Sequence, residues 1–237
     1  MKRITACIIL AVLLLASLPL TAIGEASSAP EFSDVPAGCW YEQAVLWASE
    51  NGITSGVGEG KFGPNLEVTR GQVVTMLWRI ESSPEPSGRA AFSDVPDGKW
   101  YSNAVAWASA NHIVAGYPGN IFVPNRVITR QELVTILYRY AQYKDNSVAA
   151  PDTDISYYSD YAEISDFAVE AMRWAVGNGI VNGTSATTLC PKGTATRAQL
   201  VQILYRWLSA PEETPVDSTE PTESTGDDWE LPFIPNP

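Results

Sequence analysis

A block of five residues occurs twice at a fixed distance. Phe32-Ser33-Asp34-Val35-Pro36 returns 60 residues later as Phe92-Ser93-Asp94-Val95-Pro96. At the same spacing, Trp40-Tyr41 returns as Trp100-Tyr101, Phe62-Gly63-Pro64-Asn65 as Phe122-Val123-Pro124-Asn125, and Thr69-Arg70 as Thr129-Arg130. Between them Ala44-Val45-Leu46-Trp47-Ala48-Ser49 is echoed by Ala104-Val105-Ala106-Trp107-Ala108-Ser109. A looser third copy follows. Tyr158-Ser159-Asp160 opens it, Phe167 stands for the first Trp, Ala171-Met172-Arg173-Trp174-Ala175 matches the helix, and Thr196-Arg197 closes it. In this copy the stretch from Asp160 to Trp174 is longer by one residue, and Phe-x-Pro-Asn has become Leu189-Cys190-Pro191-Lys192. A period of this kind means one supersecondary unit used three times, with each unit burying its apolar face against its neighbours.

Each copy reads as helix, loop, helix. Tyr41, Ala44, Val45 and Ala48 recur at the spacing of one helical face, which predicts a first helix over about 40–49. Asn51-Gly52 ends it, since glycine takes the left-handed cap conformation at little cost; Asn111-His112 does so less well. The second helix has a sharper start. Thr69-Arg70-Gly71-Gln72, Thr129-Arg130-Gln131-Glu132 and Thr196-Arg197-Ala198-Gln199 all have the form of a capping box. Val73, Val74, Leu77 and Ile80 form its apolar face in copy one; Leu200, Val201, Leu204 and Leu208 do so in copy three. Two short helices have too small a core to stand alone. The expected architecture is all-α: three helix-loop-helix repeats around an approximate threefold axis, over 25–90, 91–150 and 151–210.

The two ends read differently. Met1-Lys2-Arg3, an apolar run from Ile4 to Leu18, Pro19 and then Ala22-Ile23-Gly24, with small residues at its first and last positions, follow the order of a secretory signal over 1–24. A retained membrane anchor is the other reading of that run. No other segment is apolar enough to span a bilayer. Residues 211–237 hold eight acidic residues, many Pro and Thr, and no Lys or Arg. Such a segment reads as a disordered tail, with Trp229-Glu230-Leu231-Pro232-Phe233-Ile234 near its end as a candidate docking peptide for a protein partner. Export permits a disulfide between Cys39 and Cys190, and equally permits two free thiols.

Charge narrows the choice of ligand. With 27 acidic against 15 basic residues and a net charge of −12, the chain has no basic stripe for nucleic acid. Any anion must be held by a few placed cations. Arg70, Arg130 and Arg197 are the candidates, each just inside a helix N-terminus. There a guanidinium and free backbone N–H groups together make an anion site, and the guanidinium can grip a carboxylate with two parallel hydrogen bonds. A salt bridge to Asp34, Asp94 or Asp160 is the structural alternative. Those aspartates could orient the arginines, accept from a sugar hydroxyl, or cap the segment before the first helix. Trp40 and Trp100 fit either a stacking face for a sugar ring or the core; Trp47, Trp107 and Trp174 fit the core. Gly56, Gly116 and Gly183 fit a turn that lets a ligand approach the backbone, or a turn alone.

These motifs, in this order and three times over, resemble the S-layer homology domain. The likeness covers about 32–209. It implies a three-pronged, pseudo-threefold helical unit that anchors non-covalently to cell-wall polysaccharide, typically a secondary polymer bearing pyruvate ketals. It also implies that Arg70, Arg130 and Arg197 are the key arginines of the family's Thr-Arg motif. A pyruvyl group is a carboxylate on a sugar, which agrees with the anion-site reading. Copy three departs by lacking Val-Pro and the first Trp, so its groove is expected to bind differently.

The expected function is therefore a secreted, cell-surface binding module, with no catalytic residues, metal or cofactor. His112 is the only histidine, and no Cys/His cluster is present. A glycoside hydrolase would need two carboxylates in unlike environments, whereas the acidic positions here repeat. The rival reading is a structural surface-layer protein, assembling by protein contacts or tethering a partner through its tail.

Overall fold

The computed structural model describes residues 32–145, 148 and 153–209. The readings made for 1–24 and for the tail from 211 lie outside these residues. Six helices form: α1 (Glu42–Glu50), α2 (Arg70–Ile80), α3 (Ser102–Ala110), α4 (Arg130–Lys144), α5 (Val169–Gly177) and α6 (Arg197–Leu208). Two short 3₁₀ turns, Tyr161–Glu163 and Asp166–Ala168, precede α5 and take up the extra residue of copy three. The described residues contain no multi-residue strand, so the all-α expectation holds. No helix among them is long and apolar enough to cross a membrane.

The second helices begin where the capping boxes place them. Thr69 Oγ1 accepts from the Gln72 N–H, and Gln72 Oε1 accepts from the Thr69 N–H at 3.0 Å. Thr196 and Gln199 repeat both bonds. At the third site the Glu132 carboxylate takes the Thr129 N–H and hydroxyl. The first helices end in a left-handed residue: Gly52 (φ 67°), Gly179 (φ 63°) and, in copy two, His112 (φ 59°).

Helices pair between copies. α2 packs on α3, α4 on α5, and α6 returns to α1. Each second helix thus covers the alanine-rich face of the next copy's first helix, and the last closes on the first. Ala44, Val45 and Ala48, with their counterparts Ala104, Val105 and Ala108 and Ala171, Met172 and Ala175, are buried at these contacts. Small side chains let the helices approach closely, and the larger Leu and Val residues of the covering helix supply most of the apolar area. Each fully buried Leu or Val contributes roughly 1.5–3 kcal/mol. The result is one continuous core from Phe32 to Leu204.

Val68, Ile128 and Ala195 mark the axis. All three are fully buried, each one residue before a capping threonine. The Val68 N–H donates to the Ala195 carbonyl and the Ile128 N–H to the Val68 carbonyl, both at 2.9 Å. Three isolated β-bridges surround them, Glu67 with Thr196, Thr69 with Val127, and Thr129 with Thr194. Every copy therefore touches both others at the centre, which is the pseudo-threefold arrangement.

Candidate functional site: three grooves between successive repeats

The cross-copy pairing sets the start of each second helix against the loop of the next copy. Arg70 Nε donates to the Phe122 carbonyl at 2.9 Å and Nη2 to the Ala115 carbonyl at 3.1 Å. Arg130 does the same with Leu189 (3.0 Å) and Asn182 (3.2 Å). Arg197 closes the ring on copy one, with Phe62 (2.9 Å) and the Thr54 hydroxyl (3.2 Å). The guanidiniums also lie over aromatic rings: Arg70 over Phe122 and Tyr117, each 4.6 Å from the centroid, and Arg197 over Phe62 at 4.8 Å. These contacts bury the arginines to 5 %, 8 % and 3 % exposure. Burial lowers all three pKa values; Asp34 works against that at Arg197, and Asp160 with Cys190 at Arg130.

Two expectations are corrected here. The helix N-termini are not open anion sites, because the loop of the next copy has taken their donors. The Arg70 and Gly71 N–H groups go to the Arg126 and Pro124 carbonyls; Arg130 and Gln131 go to Gly193 and Pro191; Arg197 and Ala198 go to Leu66 and Pro64. The third N–H of each helix faces its threonine. Nor, among the described residues, does any ion pair join these arginines to Asp34, Asp94 or Asp160. Each carboxylate instead accepts two backbone N–H groups of its own copy's loop: Phe62 and Gly63 for Asp34, Phe122 and Val123 for Asp94, Leu189 and Cys190 for Asp160. At Asp34 burial opposes ionisation. The two N–H bonds and the Lys61 charge outweigh it, and the carboxyl falls below its ordinary pKa.

The repeated glycines have a packing reason. A side-chain carbon on Gly116 would sit 2.5 Å from the Phe92 ring and 2.7 Å from the Ile121 carbonyl oxygen. On Gly56 (φ 80°) it would meet the Lys61 oxygen at 2.3 Å and the Phe32 ring at 2.7 Å. Gly183 is confined by the Ser185 and Thr188 oxygens. The protein's own atoms fill the space that a side chain at these positions would take.

What remains open in each groove is an aromatic face. Trp40, Trp100 and Phe167 stand just before the first helices and are 44 %, 55 % and 56 % exposed. Trp100 packs edge-on against Tyr101 and lies beside Gly71, so it faces the same groove as Arg70. Trp40 packs on Tyr41 in the same way. Trp107 and Trp174 are core residues as expected, while Trp47 is half-buried beside Tyr205. Among the described residues, Nη1 of each arginine has no protein acceptor. All three arginines are thus seated cations with one uncommitted nitrogen amid loop backbone, and the groove of Arg70 also has the exposed Trp100 ring.

The grooves differ in detail. Beside Arg70, Tyr117 lies between two guanidiniums, with Arg126 4.9 Å from its ring centroid, and Glu132 accepts from both Tyr117 and Arg126. Copy one has Val57, Leu66 and Gln72 at these positions. Comparison of the copies carries no signal for such a cluster. The Phe-x-Pro-Asn element did carry one; its part in seating the arginines becomes visible only once the copies are placed together. In the described residues Cys39 and Cys190 are free thiols, the first half-buried and the second exposed, and no cluster of potential metal ligands forms.

The fold and grooves define a closed, three-part helical binding module. The chain belongs to the S-layer homology domain family: the domain's sequence profile matches residues 31–74, 91–134 and 157–201. The chain is 33% identical over 170 residues to an amylopullulanase of Thermoanaerobacterium thermosulfurigenes, covering 70% of this chain and 9% of that protein. It is 31% identical over 170 residues to the exoglucanase XynX of Acetivibrio thermocellus (70% and 15%), and 28% identical over 210 residues to the surface-layer 125 kDa protein of Lysinibacillus sphaericus (86% and 17%). The chain thus spans less than a fifth of the length of these relatives.

Proposed function

We propose that the chain is a non-covalent anchor that acts outside the cell and holds an anionic cell-wall polysaccharide in the grooves between its repeats. One observation carries this reading. Three times over, an arginine from one copy is seated in the next copy's loop with a terminal nitrogen left over, and at Arg70 the exposed Trp100 ring faces the same groove. A guanidinium held by two protein acceptors costs a ligand little further ordering, and its remaining N–H groups suit a carboxylate. The ring offers a flat apolar face to a sugar. Proteins named as an amylopullulanase, an exoglucanase and a surface-layer protein all match this chain over only a small part of their length, which fits a portable attachment unit better than a catalytic one.

The finer reading is a polymer bearing pyruvate ketals, because these place a carboxylate directly on a sugar ring. Titration calorimetry with polymer fragments before and after mild-acid removal of the ketals tests it. Binding that falls at least tenfold on removal supports the ketal reading. Equal binding to both forms sinks it and leaves a neutral-sugar or phosphate ligand.

A further inference from the structure

A second binding feature lies at the opposite end of the helices from the arginine grooves. The C-terminal ends of α4, α5 and α6 enclose an open cleft of about 440 Å³. Ala141, Trp174, Ile180 and Trp207 form its apolar wall; Lys144 and Arg206 bring two cations and Asp145 one carboxylate. Trp174 and Trp207 meet edge to face at 5.5 Å along this wall. The two cations differ. Lys144 is paired with Glu81 at 2.9 Å. Arg206 has no acidic partner among the described residues; its Nε reaches only the side-chain oxygen of Gln202. Burial alone acts on this guanidinium and lowers its pKa, with no nearby charge opposing it. The corresponding residue of copy one, Arg79, donates to the Ile53 carbonyl at 3.1 Å. Arg206, half-buried beside two tryptophans and joined by no ion pair among the described residues, suits an acidic side chain carried on an apolar segment.

The chain carries such a segment within reach. α6 ends at Leu208, directly after the cleft residues Arg206 and Trp207. Asp227-Asp228-Trp229-Glu230-Leu231-Pro232-Phe233-Ile234 begins fewer than 20 residues beyond Ser209 and contains no Lys or Arg. A coil of that many residues spans roughly 25 Å on average and at most about twice that, so the connection is long enough for a return to the cleft. We infer that residues 227–234 dock in the cleft of their own chain, with Trp229 or Phe233 against the Trp174–Trp207 wall and an acidic side chain on Arg206. This inference stands apart from the polysaccharide reading and involves none of the groove residues.

Tethering supplies an effective concentration in the millimolar range, so even a contact with a dissociation constant of about 0.1 mM would be closed roughly ten times out of eleven. The test is hydrogen–deuterium exchange on the full mature chain, comparing wild type with a Trp229→Ala/Phe233→Ala double variant and with Arg206→Gln. The double variant lies wholly in the tail and leaves the folded body untouched. Docking predicts that both variants speed exchange about tenfold at residues 178–180 and at the end of α6. It also predicts that wild-type protection is unchanged on tenfold dilution. Cleft exchange that is the same in wild type and the double variant overturns the proposal. Protection that fades on dilution overturns it too, and assigns the segment to the cleft of a second copy.

Discussion

Asp34 and Arg197 lie 163 positions apart in the sequence and hold opposite ends of the same residue. Asp34 accepts the Phe62 N–H at 2.7 Å, and Arg197 donates to the Phe62 carbonyl at 2.9 Å. Arg70 and Asp94 do this to Phe122, and Arg130 and Asp160 to Leu189. The aspartate shapes a loop within its own copy, and the arginine fastens that loop to the preceding copy. Groove and scaffold are therefore one device, and the arginines proposed to bind the ligand also carry stability.

Arg197→Ala should destabilise the fold before it affects any ligand. It removes two buried hydrogen bonds and the packing over Phe62, and it strands the Phe62 carbonyl. A loss of about 2–4 kcal/mol is expected, which for a body of this size lowers Tm by roughly 5–15 °C. Arg197→Lys should recover little, because one ammonium cannot bridge both acceptors while stacking on the ring. Thermal denaturation followed by circular dichroism checks both variants. A Tm within 2 °C of wild type for Arg197→Ala would show that the seating is not structural.

Acid stability should depend on Asp34 and Glu132. Burial pushes the Glu132 pKa up, but bonds from Thr129, Tyr117 and Arg126 bring it below the ordinary value. Both carboxyls are thus depressed in the folded state. Their contribution is fully present above the unfolded values of about 3.9 and 4.3 and is lost as pH falls through the lower folded values. Glu132→Gln retains the cap geometry that Gln72 and Gln199 use. It should cost about 1 kcal/mol at pH 7 and flatten the decline in stability below about pH 4.5. Urea denaturation at a series of pH values reads this directly; an unchanged acid limb would remove Glu132 from the account.

Backbone strain sits in the same loops. The residue after Phe62, Phe122 or Leu189 has positive φ in every copy: Gly63 at 73°, Val123 at 57° and Cys190 at 53°. Only copy one uses glycine, and a β-branched residue there is costly. Val123→Gly relieves roughly 1–2 kcal/mol of strain and gives back part of that in chain entropy and lost contact. A net gain of up to about 1 kcal/mol is expected in chemical denaturation, and a loss above 1 kcal/mol would mean that the Val123 side chain matters more than its backbone.

The two thiols should be distinguishable. Cys190 is exposed and Cys39 half-buried, and they are not joined. A thiol reagent added to folded protein made without residues 1–24, and so without Cys7, should label Cys190 first and Cys39 more slowly, with two thiols counted in denaturant. Fewer than two would reveal a bond formed after folding.

Much of this architecture was legible in the sequence. The capping boxes located the starts of α2, α4 and α6, and the 60-residue offset aligned the repeated positions of copies one and two. Apolar periodicity shows which face of a helix is buried but not what covers it, so the pairing of α2 with α3 and of α6 with α1 stayed hidden. That pairing decides the rest. It gives Arg70 the Phe122 and Ala115 carbonyls instead of Asp94, and it uses the helix N–H groups that would otherwise have been open to an anion. Trp40 and Trp100 were ambiguous because α1 and α3 begin only at Glu42 and Ser102, after each tryptophan has turned outward. Tyr117, Arg126 and Glu132 form a groove-specific cluster that no other copy repeats.

The most direct test of wall anchoring avoids the structural arginines. Mature wild-type protein and a Trp40→Ala/Trp100→Ala variant are sedimented with purified wall sacculi, intact or stripped of secondary polysaccharide. Both tryptophans are exposed, so the variant should keep its Tm within a few degrees, while losing a hot-spot aromatic weakens binding about tenfold or more. Wild type should pellet with intact sacculi and stay in solution with stripped ones, and the variant should pellet poorly with either. Wild type that ignores intact wall, or a folded variant that pellets as well as wild type, would contradict polysaccharide binding in these grooves.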